Sequence, residues 1–529
     1  MLRRQRSWRR NWPNRRERWI VWRFLFVLTG LVSIGLAVLL SSEPAAAQWI
    51  PDSGWTEPFN VSKSVTASND PAIVADPYGY VHVFWSEDLG GEPLPKGETP
   101  GTGNAIMYRR LGPDGWTEPV DIFYGGEWSR LGQPAAVVDR QGYLNLVWAA
   151  VDGLYYSYAP CWLADQPLAW AEPVKIDDGT VSDIKILDLS SALEGEDLHG
   201  DQLLVVYGLT AGADKGLFAA VLTDRWPRDY VTVWRGVGNV APLNIAAAMD
   251  KKGRIHLAWD VIRPPSPAPF ELWYGSASGV LYRDGASPLQ FEDRLVTRAT
   301  SDDTSLQFAC PWVAVRGEQE VHLQWAQGSS TYRWHQYSRD GGQTWVQPYQ
   351  IWPDLVSQTG SQAAGTDSAG TLYWVDVFRY PSGAYLTHWT GQAWERPEMF
   401  YLKYLTPTDK ENENMNVHYI RMAISRGDRL HIVFLDLDRG EVWHMQKYLS
   451  APTVASLPLP TISPTQLPQP TVTSISEAAQ FTPQATVGMP AGVSAASDGL
   501  SEPGARLMVP MAAVLLILVI VVVIKLRMR

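Results

Sequence analysis

Residues 50–449 carry no stretch in which apolar positions keep helical spacing; they alternate short apolar runs with polar, Gly-containing turns, the pattern of half-buried strands. One unit recurs. PAIVADPYGYVHVFW at 71–85 matches PAAVVDRQGYLNLVW at 134–148 and IAAAMDKKGRIHLAW at 245–259. Weaker copies are PWVAVRGEQEVHLQW at 311–325, QAAGTDSAGTLYWVD at 362–376 and IRMAISRGDRLHIVF at 420–434. A degenerate copy is split between DIKILDLS at 183–190 and QLLVVYG at 202–208. Each unit predicts a hairpin: an apolar strand, an Asp-x-x-Gly turn, and an alternating second strand. Asp suits the turn because it bonds its own backbone two residues on, and Gly because it tolerates positive φ.

A short aromatic strand follows each hairpin, as in IMYRR at 106–110, LYYSY at 154–158 and YRWHQY at 332–337. A fourth strand is then predicted with Trp at or near its start: Trp116, Trp170, Trp234, Trp345 and Trp394, with Phe291 in one unit. Four strands per unit predict an all-β fold, a β-propeller. From Gly79 to Gly427 the mean period is 58 residues, longer than the roughly 40–50 of WD40 and kelch repeats. The last unit lacks its fourth strand, while WTEPFNV at 55–61 copies WTEPV at 116–120 and precedes the first unit. An N-terminal strand closing the last blade is therefore expected, because closure removes aggregation-prone edges. Seven blades are expected, with six or eight as alternatives.

The ends differ from this middle. Residues 1–18 are Arg-rich, 24–40 are apolar, and Ala45, Ala46 and Ala47 follow, which reads as a signal peptide over 1–47, with an uncleaved anchor as the alternative. Residues 451–505 are rich in Pro, Thr, Ser and Ala and hold no Lys or Arg, the composition of an extended stalk. Residues 507–524 carry no charge and precede Lys525, Arg527 and Arg529. A transmembrane helix within 506–529 is expected, its basic tail cytoplasmic and the propeller at 48–450 outside the cell.

Composition sharpens this. The chain has 529 residues, 25 Trp and a net charge of −11, so bulk disorder is excluded. The basic ends conceal the charge of the middle: residues 48–505 hold 31 cations against 53 acids, a net −22. Such a surface repels nucleic-acid phosphates. Two cysteines, Cys161 and Cys310, exclude a disulfide scaffold, and a bond between them is not expected across some three blades.

One stretch carries a family resemblance. Ser338-Arg339-Asp340-Gly341-Gly342-Gln343-Thr344-Trp345 resembles the Asp-box, S-x-D-x-G-x-T-W, of sialidase-like (BNR repeat) propellers. It lies between third and fourth strands, where that family carries it, and eroded copies stand at 113–116 and 390–394. The resemblance implies that Ser338, Asp340, Gly342, Thr344 and Trp345 are structural and lie away from the catalytic face. It also implies what a sialidase needs: three Arg gripping a carboxylate, a Tyr nucleophile with a Glu partner, and an Asp acid/base. The family's first Arg opens the first blade in an Arg-Ile-Pro motif; here the place reads Asn69-Asp70-Pro71. Sialidases usually have six blades. A non-sialidase member is expected.

The residue before each innermost strand faces one mouth of the channel: Asp70, Gln133, Asp183 (or Ser182), Asn244, Cys310, Ser361 and Tyr419. None is aliphatic, so the ring is the candidate ligand site, against the alternative that these groups bond waters and loop backbones. Glu87, Asp88, Asp152, Asp260, Asp376, Asp436 and Asp438 follow second strands; they read as solvated loop acids, with Ca²⁺ ligation or a glycosidase pair as alternatives that no spacing supports. No cofactor or metal is expected. His82, His256 and His322 share one repeat position, with Asn145 and Tyr373 as substitutes and His431 close by; one per blade, they predict packing with a satisfied hydrogen bond. Ten of the 25 Trp are locked to the repeat, and Trp128 and Trp162 are among those left as candidates for stacking on sugar rings. The expected function is noncatalytic binding of a glycan or surface protein. The alternatives are an exo-acting, sialidase-type glycoside hydrolase or a lyase, and an assembly factor of an envelope complex.

Overall fold

All seven hairpins form, each as the inner pair of strands of one sheet in a computed structural model. The structure describes residues 47–49 and 53–460, except 65, 90–102, 127–129, 193–201, 211–214, 237–239, 263–269, 279–288, 299–309, 328–331, 381, 404–416 and 438. The innermost strands of blades 1 to 7 are Ser68–Ala75, Leu131–Val138, Val181–Asp188, Pro242–Met249, Trp312–Arg316, Val356–Thr366 and Val417–Ser425. Each contacts the innermost strand of the next blade, and the seventh contacts the first, so the blades make a closed seven-bladed ring. Every blade is antiparallel.

The fourth strands start later than the Trp positions imply. They begin at Val120, Val174, Tyr349 and Glu398, each immediately after Pro119, Pro173, Pro348 or Pro397. Proline has no N–H to give a ladder, so pairing starts behind it. Blade 3 departs further: its outer strand, Trp226–Trp234, places Trp226 at the start and Trp234 at the end. Closure is as expected. Phe59–Asn60 pairs with Glu441–Tyr448, and Trp55 bridges to Lys447. A fifth strand, Ala47–Trp49, pairs with the outer strand of blade 6, Glu398–Lys403.

Seven hydrophobic clusters form the core, one at each interface between neighbouring blades. Second-strand Trp85, Trp259, Trp325 and Trp374 are fully buried in them. The tryptophans before the fourth strands wedge against the preceding blade: Trp116 on His444, Trp170 on Tyr108, and Trp345 on Tyr274 meet edge to face. That geometry favours aromatic pairs.

The Asp-x-x-Gly turns carry a relay. The Oδ1 atom of Asp76 accepts the Tyr78 and Tyr80 amides, and Oδ2 meets His82 Nε2 at 3.1 Å; His82 Nδ1 lies 2.7 Å from Tyr108 Oη. Asp250, His256 and Tyr274 repeat this in blade 4, and Asp139, Asn145 and Tyr156 in blade 2. The shared His position is thus packing with satisfied hydrogen bonds.

The turn that resembles an Asp-box is held by Asp340 Oδ1, which accepts from Thr344 N at 2.8 Å and from Ser338 Oγ at 2.7 Å. Gly342 sits at φ 87° and accepts from Trp345 Nε1.

Residues 451–460 do not stand free of the propeller. They cross the turn end of the ring: Ser368 Oγ donates to Pro452 O, Val454 N to Arg426 O, and Leu457 N to Pro77 O. Blades 6, 7 and 1 are joined by this strap. The expected leader at 1–47, all but its last residue Ala47, and the expected transmembrane segment at 507–524 lie outside the described residues, and among the described residues no helix is long and apolar enough to cross a membrane.

Candidate functional site at the channel mouth

Six of the seven innermost strands break register as they start, all but Trp312–Arg316 of blade 5. The shifts fall between Asn69 and Ala72, Gly132 and Ala135, Val181 and Ile184, Pro242 and Ile245, Ser357 and Gln362, and His418 and Arg421. At three of these starts a non-Gly residue has positive φ, Asp70 at 48°, Gln133 at 51° and Tyr419 at 50°, and so has Cys310 at 42° before the blade 5 strand. The left-handed conformation is strained for such residues. Bulges of this kind collect at barrel rims, where they re-aim side chains. Here they turn the ring residues into one cavity of about 460 Å³ lined by Asp70, Gln133, Ser182, Asp183, Asn244, Cys310 and Tyr419. The expected ring is therefore assembled, with Gln362 lining the cavity in the place expected for Ser361; the Ser361 side chain lies outside the described residues.

Much of the ring is spent on joining blades. Asp70 Oδ2 accepts the Gln133 amide at 3.1 Å, and Gln133 Nε2 donates to Ser182 O at 3.0 Å. Ser182 Oγ donates to Pro242 O, and Asp183 Oδ2 accepts the Ile245 amide at 2.7 Å. Asp260 receives Asn244 and the Cys310 amide, and Gln362 Nε2 donates to Cys310 O. The backbone-bonding alternative thus holds for part of the ring.

Two cations complete the cavity wall, Lys185 and Arg421. Lys185 Nζ lies 2.6 Å from Asp183 Oδ1, which also accepts the Ile184 amide. Arg421 donates to the Ile420 carbonyl, and no carboxylate among the described residues lies within ion-pair distance of it. Burial pulls the Arg421 and Lys185 pKa values down, while Asp183 and Asp70 oppose this at Arg421. Burial pushes the Asp70 carboxyl up, against the Gln133 amide and the Arg421 charge, which hold it down. Reading the mouth from residues before the strands misses both cations, which stand two positions after the ring residue. The same position in blades 1, 2, 4 and 6 is Ala72, Ala135, Ala246 and Ala363; a charge in an alanine register was the available signal.

Four of the seven acids after second strands are not solvated loop residues. Glu87, Asp260, Asp376 and Asp436 are buried. Glu87 accepts from Trp85 Nε1, Ser64 and Thr66, and Asp376 takes Arg333 bidentately at 2.6 and 2.9 Å. Glu87 is held by an indole and two hydroxyls, Asp260 by amides and Asp376 by a guanidinium, so these three carboxylates are taken up inside the fold. Asp152 is exposed and pairs with Lys175; Asp438 lies outside the described residues. Trp162 is half-buried at the turn end, edge-on to Tyr78 at 5.6 Å, and so does not reach the mouth; Trp128 lies outside the described residues. Cys161 and Cys310 are buried, and neither is in a disulfide.

No family model matches the chain, and no curated protein matches it. Solved structures match at the level of the fold. A protein of unknown function from Dyadobacter fermentans has 12% identity and a TM-score of 0.44, covering 75% of this chain and all of that one. A sialidase from Streptococcus pneumoniae has 11% identity and a TM-score of 0.40, over 76% of this chain and 71% of its own. The polysaccharide lyase Uly1 has 11% identity and a TM-score of 0.43, over 76% and 94%.

Proposed function

We propose that this propeller is a noncatalytic binding module whose channel mouth holds the anionic group of a ligand, an acidic glycan in our reading. The observation that carries this is Arg421: a guanidinium in a cavity of about 460 Å³, bonded to a backbone carbonyl and, among the described residues, within ion-pair distance of no carboxylate. A bidentate anion suits a planar guanidinium. Asp183 is saturated by two amides and Lys185, which leaves no free carboxylate pair for acid–base work. The expected stalk and C-terminal helix would display the module outside the cell.

The test is the purified full chain on an array of neutral, carboxylated and sulfated glycans, with fluorogenic glycosides screened in parallel. Retention of acidic glycans, lost in Arg421→Gln, supports the proposal; indifference to ligand charge contradicts it. A second reading, a hydrolase or lyase, is favoured by Asp70, whose raised carboxyl stands beside Tyr419. It requires glycoside turnover that Asp70→Ala abolishes.

A further inference from the structure

We propose that Asp76, His82 and Cys161 form a binding site for one Zn²⁺ between blades 1 and 2. Among the described residues, only here do three side chains of metal-ligating type converge, their ligand atoms all within 4.8 Å of one another and all three buried. Two come from blade 1. The third is delivered by a short 3-10 helix, Cys161–Leu163, that follows the third strand of blade 2.

The comparison among blades points to a cation. The relay of blade 2 uses the same geometry: Asp139 Oδ1 accepts two turn amides, and Oδ2 accepts from Asn145. Its carboxylate is buried and meets Arg225 NH2 at 3.0 Å, a guanidinium delivered from the same place in the next blade, after the third strand of blade 3. In blade 1 that place holds Cys161. A thiol supplies no charge, but it does supply a metal ligand. Zn²⁺ with one carboxylate, one thiolate and one neutral imidazole is electrically neutral, the condition a buried cluster must meet.

The donor set suits the metal. Cys, His and Asp all bind Zn²⁺. Asp76 Oδ1 is fixed by the Tyr78 and Tyr80 amides, which leaves Oδ2 for the ion. His82 is held through Nδ1 by Tyr108 Oη at 2.7 Å, which aims Nε2 at the cluster; such outer partners fix the ring of a ligating histidine. On binding, the thiol proton leaves to solvent. The neutral imidazole carries its proton on Nδ1 and donates it in a hydrogen bond to Tyr108 Oη, leaving Nε2 for the ion, and no redox change occurs.

The experiment incubates the purified full chain with Zn²⁺, removes free metal, and measures zinc by elemental analysis; Co²⁺ then replaces zinc for absorption spectroscopy. Expected are one equivalent of zinc, a thiolate-to-cobalt charge-transfer band and a zinc-dependent rise in melting temperature. His82→Asn copies the Asn145 relay of blade 2, so it keeps the turn while removing a ligand. It is expected to fold and to lose the metal and the band, as Cys161→Ser is, whereas Cys310→Ser retains both. Absence of retained zinc and of the cobalt band in the wild-type chain overturns the proposal. So does a band that survives Cys161→Ser or disappears in Cys310→Ser.

Discussion

The two ends of the channel are made from the same seven strands and use their polar residues differently. At the turn end, Asp76, Asp139, Asp250 and Asp367 are buried and capped by turn amides. The strap at 451–460 covers part of that end. At the mouth, Asp70, Gln133, Asp183, Asn244, Tyr419 and Arg421 are half-buried around an open cavity. The turn end consumes its hydrogen-bonding capacity in holding the hairpins. The mouth consumes part of it in joining blades and leaves a guanidinium over. Polarity inside a propeller is therefore no sign of a ligand site until its partners have been counted.

The sharpest way to break this contrast is at Asp139. Asp139→Leu strips the caps from the Gln141 and Tyr143 amides and leaves Arg225 without its anion. A loss of about 3–5 kcal/mol is expected from breaking such a buried pair, measured by denaturant unfolding. A loss below about 1 kcal/mol would mean that the relay is ornamental.

Acid should destabilise the fold through the buried histidines near the turn end. Burial pushes His431 down to about 3, and His444 is lowered by burial and by His431. Both are neutral in the fold and have a pKa of about 6.5 when unfolded. Below that value the unfolded chain binds the extra protons. Stability is thus full above pH ~6.5 and falls as pH drops toward 3, by about 2 kcal/mol per such histidine at pH 5. Melting temperatures of wild type and His431→Gln across this range measure it, and the variant should show the flatter profile. Removal of the strap by a stop after Ser450 is a smaller test. It takes the partners of Arg426, Ser368 and Pro77 and should cost about 1–2 kcal/mol. An unchanged melting temperature would show the strap to be idle.

The repeat was legible because each blade restates it: Asp, Gly and Trp recur at fixed offsets, and each offset has one physical job. Closure was legible because residues 55–61 copy a fourth strand that the last unit lacks. The ring was legible because the residue before an apolar innermost strand must face the rim. Arg421 and Lys185 were not, since an unbroken alternation gives no warning that a bulge turns positions two residues later into the channel. The buried acids were misread for a related reason. Glu87 and Asp376 sit in loop-like sequence, and the groups that bury them, Ser64 and Arg333, come from distant segments. The Cys161–Asp76 approach is likewise a contact across blades.

The most direct measurement is Arg421→Gln, with unfolding and acidic-glycan binding recorded on the same preparation. Because its guanidinium has no carboxylate within ion-pair distance among the described residues, the variant should melt within about 0.5 kcal/mol of wild type and lose binding by at least about tenfold, the equivalent of 1.4 kcal/mol. An Arg421→Gln protein that is strongly destabilised, or one whose folded fraction binds acidic glycans as tightly as wild type, would contradict the division between a structural turn end and a binding mouth.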